Sequence, residues 1–170
     1  VVAEGGIVIG TSRMKKILEI DLENLRARVQ PGVVNLDLSL AVSDHGLYFA
    51  PDPSSQKACT IGGNVSENAG GPHTLAYGVT TNHVLGLELV LPSGEVIRTG
   101  AKFWDRPGYD VTGFVVGSEG TLGIVTEVTV RLCRVAEAVK TLVAIYETVA
   151  DATRTVADIT ARGITCLLYT

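Results

Sequence analysis

"CTIGGNVSENAGGPHTLAYG", Cys59–Gly78, carries five glycines and few large apolar side chains, inside a chain that is 46% hydrophobic. Glycine permits positive φ and close backbone approach, and it leaves amide N–H groups uncovered. "TIGGN" reads as a turn with Thr60 as N-cap of a short helix beginning near Ile61. A helix N-terminus with converging bare amides is suited to an anion, or to the carbonyls and nitrogens of a flat ring. "NAGG" (68–71) supplies a second bare turn and Tyr77-Gly78 a third. A lone glycine cluster is most simply a loop, but a second one, "VGSEGTLGIV" (116–125), feeds directly into a strand. Neither fits GxGxxG at a strand-to-helix turn or the GxxxxGK[ST] phosphate loop, so a standard nicotinamide or NTP site is not supported.

Outward from this stretch, period-two alternation dominates. "GIVIGTS" (6–12) reads as a short strand. "KILEID" (16–21) and "RARVQPG" (26–32) read as a hairpin with one wet face. "VNLDLSLAVSDHG" (34–46) changes to helical spacing, with Leu36, Leu40 and Leu47 as its stripe, Asn35 as N-cap and Gly46 as stop. "LYFAPDPSSQK" is loop. "HVLGLELVL" (83–91) reads as a central strand, Leu85, Leu87, Leu89 and Leu91 on one face and Val84, Gly86 and Val90 on the other. "PSG" turns it into "EVIRTG", "FWDRPGYD" is loop, and "VTGFVVGSEG" holds a short helix. In "IVTEVTVRL" (124–132), Ile124, Thr126, Val128, Val130 and Leu132 share one face. A β-α-β unit follows: strand "VKTLVAIY", helix "VADATRTVADITARG", then "ITCLLY". Its helix carries Val149, Ala152, Val156 and Ile159 as a stripe, with Arg154 and Asp158 at ion-pair spacing. A domain boundary is expected near 135–139.

With 14 basic against 18 acidic residues and no lysine or arginine run, nucleic acid and anionic membranes are not expected partners. No apolar run approaches the length of a membrane span. Cys59, Cys133 and Cys166 form no CxxC pair, which argues against a disulfide framework or zinc and for a reducing, cytoplasmic setting. Cys59 reads as a small buried space-filler. His45 at a helix end, and His73 and His83 in loops, lack ligand spacing and read as structural or incidental, so no metal site and no catalytic residue is assigned.

"PDPSSQKACTIGGNVSENAGGPHTLAYGVTTNHVLGLELVLPSGEVIRTG" and "GYDVTGFVVGSEGTLGIVTEVTVRL" together resemble the FAD-binding domain of the FAD-linked oxidases, the family with the vanillyl-alcohol-oxidase-type (PCMH-type) flavin fold. The resemblance runs from about Gly6 to Leu132, nearest the branch of the glycolate oxidase FAD subunit and the D-lactate and D-2-hydroxyglutarate dehydrogenases. It implies an α+β fold, a largely antiparallel sheet flanked by helices. This would be the second FAD subdomain of the PCMH-type fold (1–135), followed by the beginning of a substrate-side cap domain (136–170). It implies that Pro51, Asp52, Ser55, Thr60, Ile61, Gly62, Gly63 and Asn64 line the flavin. Ser66, Gly70 and Gly71 would continue that wall, with Tyr77, Gly78 and Val84 passing the cofactor and Glu119, Gly120, Ile124 and Val125 meeting its adenosine or ring portion. Ile61, Ile124 and Val125 would pack on the apolar faces.

The family's arginine- and glycine-rich pyrophosphate loop is expected to precede Val1, and its histidine-rich site in the cap to follow Thr170. The resemblance therefore implies part of an FAD-dependent oxidoreductase that oxidises a 2-hydroxy acid of the glycolate or D-lactate type by hydride transfer to flavin. These residues alone would be inactive and hold FAD weakly or not at all. Other oxidase subunits, or self-association through an apolar sheet face left open, are the further partners expected. The rival reading is a non-catalytic module that binds another nucleotide or a protein through the same glycine-rich wall.

Overall fold

The computed structural model describes residues 5–100 and 108–166. It has the α+β architecture expected, a five-stranded sheet in the order β1-β2-β6-β4-β5 with every neighbouring pair antiparallel. Strands β1 (Ile17–Asp21) and β2 (Arg26–Val29) form the first hairpin, β4 (Val84–Val90) and β5 (Val96–Gly100) the second, and β6 (Ile124–Arg131) joins them. Helix α1 (Asn35–Val42) follows the first hairpin and α2 (Ile61–Glu67) opens the glycine-rich stretch. The short α3 (Thr74–Tyr77) closes that stretch, and α4 (Val111–Val115) precedes the second glycine cluster. A two-stranded ribbon of β3 (Leu47–Tyr48) and β7 (Cys133–Arg134) stands beside the main sheet.

One face of the sheet is the core. Ala27, Val29, Val84, Leu87, Leu89, Val128 and Val130 pack there against Leu38, Val42, Phe49, Ile61, Val65 and Val115. The opposite face is charged. Glu19 pairs with Arg28, Arg28 with Glu127, and Arg98 with Glu88, in a row that touches all five strands. Alternation has carried the ionisable residues of every strand outward, so the apolar open face expected of this sheet is not present. On the strands, exposed apolar side chains are scattered singly, at Ile20, Val96 and Ile124, and others lie off the sheet, at Ile7, Val8 and Ile9 and at Leu142, Val143 and Ile145.

Two bulges displace the face assignments. Val84 pairs with Val130 but Gly86 with Thr129, which leaves Leu85 as an extra residue on β4. Val84 thereby joins Leu87 and Leu89 in the core instead of opposing them. Farther along, Glu88 pairs with Glu127 and Leu89 with Val125, so Thr126 is extra on β6. Val125 turns towards the core and Ile124 outward, the reverse of strict alternation.

In α1 the buried positions are Asn35, Leu38 and Val42, while Leu40 is 60% exposed, so the leucine stripe is not the packed face. Asn35 does not cap this helix; Val34 stands at the N-cap without a side-chain bond. Carbonyls of the following loop cap it instead, Cys59 O accepting from Asn35 N and Gln56 O from Leu36 N, each at 3.0 Å. Gly46, at φ +66°, is the expected stop.

Two expected strands are not formed. Residues 6–12 form no strand, since no described strand lies alongside to complete their hydrogen bonds. Residues 139–146 likewise form none, although helix α5 (Val149–Ala161) follows as expected. No residue of α5 is buried, and Arg154 reaches Asp151 rather than Asp158. In "FWDRPGYD" only 108–110 are described, and "ITCLLY" beyond Cys166 lies outside the described residues.

Candidate functional site

The "IGGN" turn builds as its sequence dictates. Thr60 is extended and its Oγ1 accepts from Gly63 N at 3.3 Å, the expected N-cap. The amides of this turn are not bare, however. Ile61 N donates to Val33 O and Gly62 N to Pro31 O, each at 2.8 Å, and Asn64 N donates to Thr60 O. The anion site expected at this helix N-terminus is thus filled by the protein's own carbonyls. Gly62 is required for packing, because a Cβ there would lie 2.5 Å from Pro31 Cβ.

The helix ends at Asn68, left-handed at φ +52°, whose Oδ1 accepts from Thr81 N at 2.9 Å. In the next turn Gly71 N donates to Thr74 Oγ1 at 2.8 Å. A Cβ on Gly71 would come within 2.2 Å of both Asp52 O and Asp52 Oδ1, so the "PDP" and "AGG" segments meet backbone to backbone. Beside them His73 Nδ1 lies 2.5 Å from Asp52 Oδ2.

The second glycine cluster docks on the end of the first. Gly117 N donates to Val65 O at 2.8 Å and Glu119 N to Ser66 O at 2.9 Å. Glu119, at φ +53°, and Gly120, at φ +75°, both lie exposed beyond this junction. The fold therefore brings Asp52, Thr60, Gly63, Asn64, Ser66, Gly70, Gly71, Glu119 and Gly120 onto one continuous stretch of chain and docked turn.

Other candidate residues are placed differently. Ile61 and Val84 are core side chains, 0% and 1% exposed, so neither side chain is open to a ligand. Pro51 is buried and its carbonyl accepts from Asn35 Nδ2 at 2.9 Å. Ser55 is exposed, and its carbonyl accepts from Ala58 N and Cys59 N. Tyr77 stands edge-to-face to Tyr48 at 6.1 Å, and Gly78 packs against Asn82. Ile124 pairs with Val90 at the end of β6, exposed, with Val125 turned into the core.

His83 is fully buried, its Nε2 donating to Tyr77 O at 2.8 Å and its ring edge-on to Phe49, so it is structural as expected. Burial holds its pKa below the ordinary histidine value. Burial likewise raises the Cys133 thiol, 4.0 Å from His83 Nδ1, and raises Tyr48, with its Tyr77 bond adding to the effect. Cys59 is half-buried rather than enclosed, and none of the three cysteines is joined in a disulfide. No cluster of ligating side chains that could hold a metal occurs among the described residues, and no helix there is long and apolar enough to cross a membrane.

Two features escaped the sequence. Asn35 ties α1 to the Pro51 and Cys59 carbonyls, and His73 pairs with Asp52 across 21 positions. No local spacing pairs residues so far apart. One atom tests directly whether the wall fits a polar cofactor. Asn64 is 2% exposed, yet its Nδ2 has no hydrogen-bond partner among the described residues. A buried donor left unpaired is costly. An oxygen or ring nitrogen brought up to the wall would satisfy it, so these residues fit a group such as a flavin nucleotide.

Comparison with known proteins gives concordant results. Residues 1–100 match the family model described as an FAD binding domain. The chain is 56% identical over 162 residues to "Glycolate oxidase subunit GlcD" of Bacillus subtilis (strain 168), covering 95% of this chain and 34% of that protein. The GlcD subunit of Escherichia coli (strain K12) is 48% identical, with 95% and 32% covered. "D-lactate dehydrogenase" of Anaerostipes hadrus is 40% identical over 89% of this chain and 32% of its own. Among solved structures, alkyldihydroxyacetonephosphate synthase superposes with a TM-score of 0.74 at 27% identity, over 89% of this chain and 30% of that one. The chain thus spans about a third of the length of these relatives.

Proposed function

The chain belongs to the FAD-binding domain family, and from that premise we propose that it forms one wall of the flavin seat in an oxidoreductase acting on a 2-hydroxy acid of the glycolate or D-lactate kind. The observation that carries this is the docking of the second glycine motif on the first, Gly117 on Val65 and Glu119 on Ser66, which makes one surface of two distant segments. In the whole protein, FAD supplies the hydride-accepting chemistry and the polypeptide supplies orientation and electrostatics. The residues proposed to hold it are Asp52, Thr60, Gly63, Asn64, Ser66, Gly70, Gly71, Glu119 and Gly120. Asn64 Nδ2 would donate to a cofactor oxygen or nitrogen, and exposed Gly63 would let the ligand approach the backbone. Pro51, Ile61 and Val84 would shape the wall from behind. Residues 136–170 would begin the substrate-side domain.

Titrating the chain into FAD at fixed flavin concentration, with fluorescence quenching as readout, tests the reading. Saturable quenching that ATP and NAD fail to reverse is expected. Equal displacement by ATP or NAD would favour a general nucleotide-binding module, and absence of quenching at millimolar protein, both by this chain and by a longer chain that includes the residues preceding Val1, would defeat the proposal.

A further inference from the structure

On the reading that this wall seats FAD, we infer that His73 is a ligand-contacting side chain, held by Asp52 through Nδ1 and offering Nε2 to an anionic oxygen of the bound molecule. Spacing alone gives this histidine no role. The structure places its Nδ1 2.5 Å from Asp52 Oδ2, joining the "PDP" segment to the turn after "AGG". Both partners are fixed. The backbone of Gly71 presses on Asp52, with no room for a Cβ between them. The carbonyl of His73 accepts from Ala76 N and Tyr77 N at the start of α3. The imidazole remains 42% exposed, whereas the Asp52 side chain is 20% exposed. Nε2 has no hydrogen-bond partner among the described residues.

A hydrogen bond at one imidazole nitrogen settles the orientation of the ring and the role left to the other. Here Asp52 takes Nδ1–H, and Nε2 is the nitrogen left to face a ligand. In the complex both nitrogens donate, Nδ1 to Asp52 and Nε2 to the ligand oxygen, the additional proton coming from solvent. Asp52 then balances the charge from behind, and hydrogen bonds between ionised groups are about twice as strong as neutral ones. His83 serves as an internal contrast, since its Nε2 is already committed to Tyr77 O inside the core. The anionic oxygen comes either from the FAD phosphates or from the carboxylate of the acid substrate.

The test is a long-range 1H–15N spectrum of the imidazoles in the uniformly 15N-labelled chain, which contains only His45, His73 and His83. FAD, riboflavin and glycolate are added separately at constant pH. FAD is expected to move the His73 Nε2 resonance and leave that of His83 in place, while riboflavin, which lacks phosphate, leaves both. A shift with glycolate alone supports the inference and names the carboxylate as the source. His73→Gln is expected to weaken binding of the anion about tenfold, the loss of one charge-assisted bond. If FAD moves the amides of Gly70 and Gly71 but not His73, the inference is overturned and the FAD reading stands. If riboflavin moves His73 as far as FAD does, the contact is not with an anionic oxygen. If no resonance responds to FAD, both fall together.

Discussion

Adjacent glycines in "IGGN" should respond oppositely to alanine. A Cβ on residue 62 would sit 2.5 Å from Pro31 Cβ and 3.0 Å from Pro31 O. Ordinary carbon contacts are about 3.5–4.0 Å, so Pro31 must retreat by about 1 Å. It cannot do so freely, because its carbonyl accepts from Gly62 N at 2.8 Å. Overpacking of this kind costs about 1–3 kcal/mol, against which alanine in a helix recovers about 0.5–1 kcal/mol. Gly62→Ala is therefore expected to destabilise by about 1–2 kcal/mol. At residue 63 the nearest neighbour of a Cβ is Thr60 Oγ1 at 3.5 Å, ordinary contact. Gly63→Ala keeps only the helical gain, about 0.5–1 kcal/mol of added stability. Urea unfolding followed by circular dichroism separates the two, provided the slope is unchanged. The same proteins titrated with FAD should show Gly63→Ala binding more weakly despite its stability. Equal midpoints, or a Gly63→Ala variant less stable than Gly62→Ala, would refute the contact reasoning.

Four further outcomes are expected. Leu38→Ala should cost about 2–5 kcal/mol in urea unfolding, and Leu40→Ala less than about 0.5 kcal/mol, because only Leu38 is enclosed. His83, held below its ordinary value of 6.5 by burial, takes up a proton in the unfolded chain first. Stability should fall as the pH drops below 6.5 towards the folded-state pKa, and His83→Gln should flatten that stretch of the urea-midpoint profile. Arg28→Ala should cost about 0.5–1 kcal/mol in low salt and less in high salt, since Glu88 and Glu127 are cross-strand partners and Arg28 bonds the latter. Asn64→Leu should leave thermal stability equal or higher, because the unpaired donor it removes costs about 1–3 kcal/mol, while FAD titration shows weaker binding. A marked drop in melting temperature would mean that Asn64 is a satisfied core residue.

What the sequence conveyed follows the range of each signal. The hairpins 16–32 and 84–100 and the Thr60 cap rest on neighbours within a few residues, and all are present. The bulges at Leu85 and Thr126 rest on how two strands accommodate each other, so alternation misassigned Val84, Ile124 and Val125. The leucine stripe of α1 misled because Leu36 and Leu40 fit helical spacing as well as Leu38 and Val42, and only the position of the sheet decides between them. At the candidate site, the glycine-rich turns themselves were legible but their wiring was not. The pairing of His73 with Asp52, and of Glu119 with Ser66, spans tens of residues and leaves no periodic trace.

Glycines in the wall serve two different demands, and the contacts separate them. Gly62 and Gly71 are bare because Pro31 and Asp52 occupy the space a side chain would need. Gly63 and Gly120 have no close neighbour of that kind, and there the missing side chain leaves backbone open to the surface. The amides at the start of α2 are already spent on Val33 and Pro31, so an anion could enter there only by displacing protein carbonyls. Polar capacity toward a ligand is accordingly concentrated in side chains, Asn64 Nδ2 in the core of the wall and His73 Nε2 at its rim. Both sit on backbone fixed by contacts from elsewhere in the chain, Asn64 through Thr60 and the Val33–Ile61 bond, His73 through Asp52 and Gly71. Such a surface orients a ligand through a few well-placed donors on a rigid support, so single substitutions at those donors should alter binding more than they alter folding.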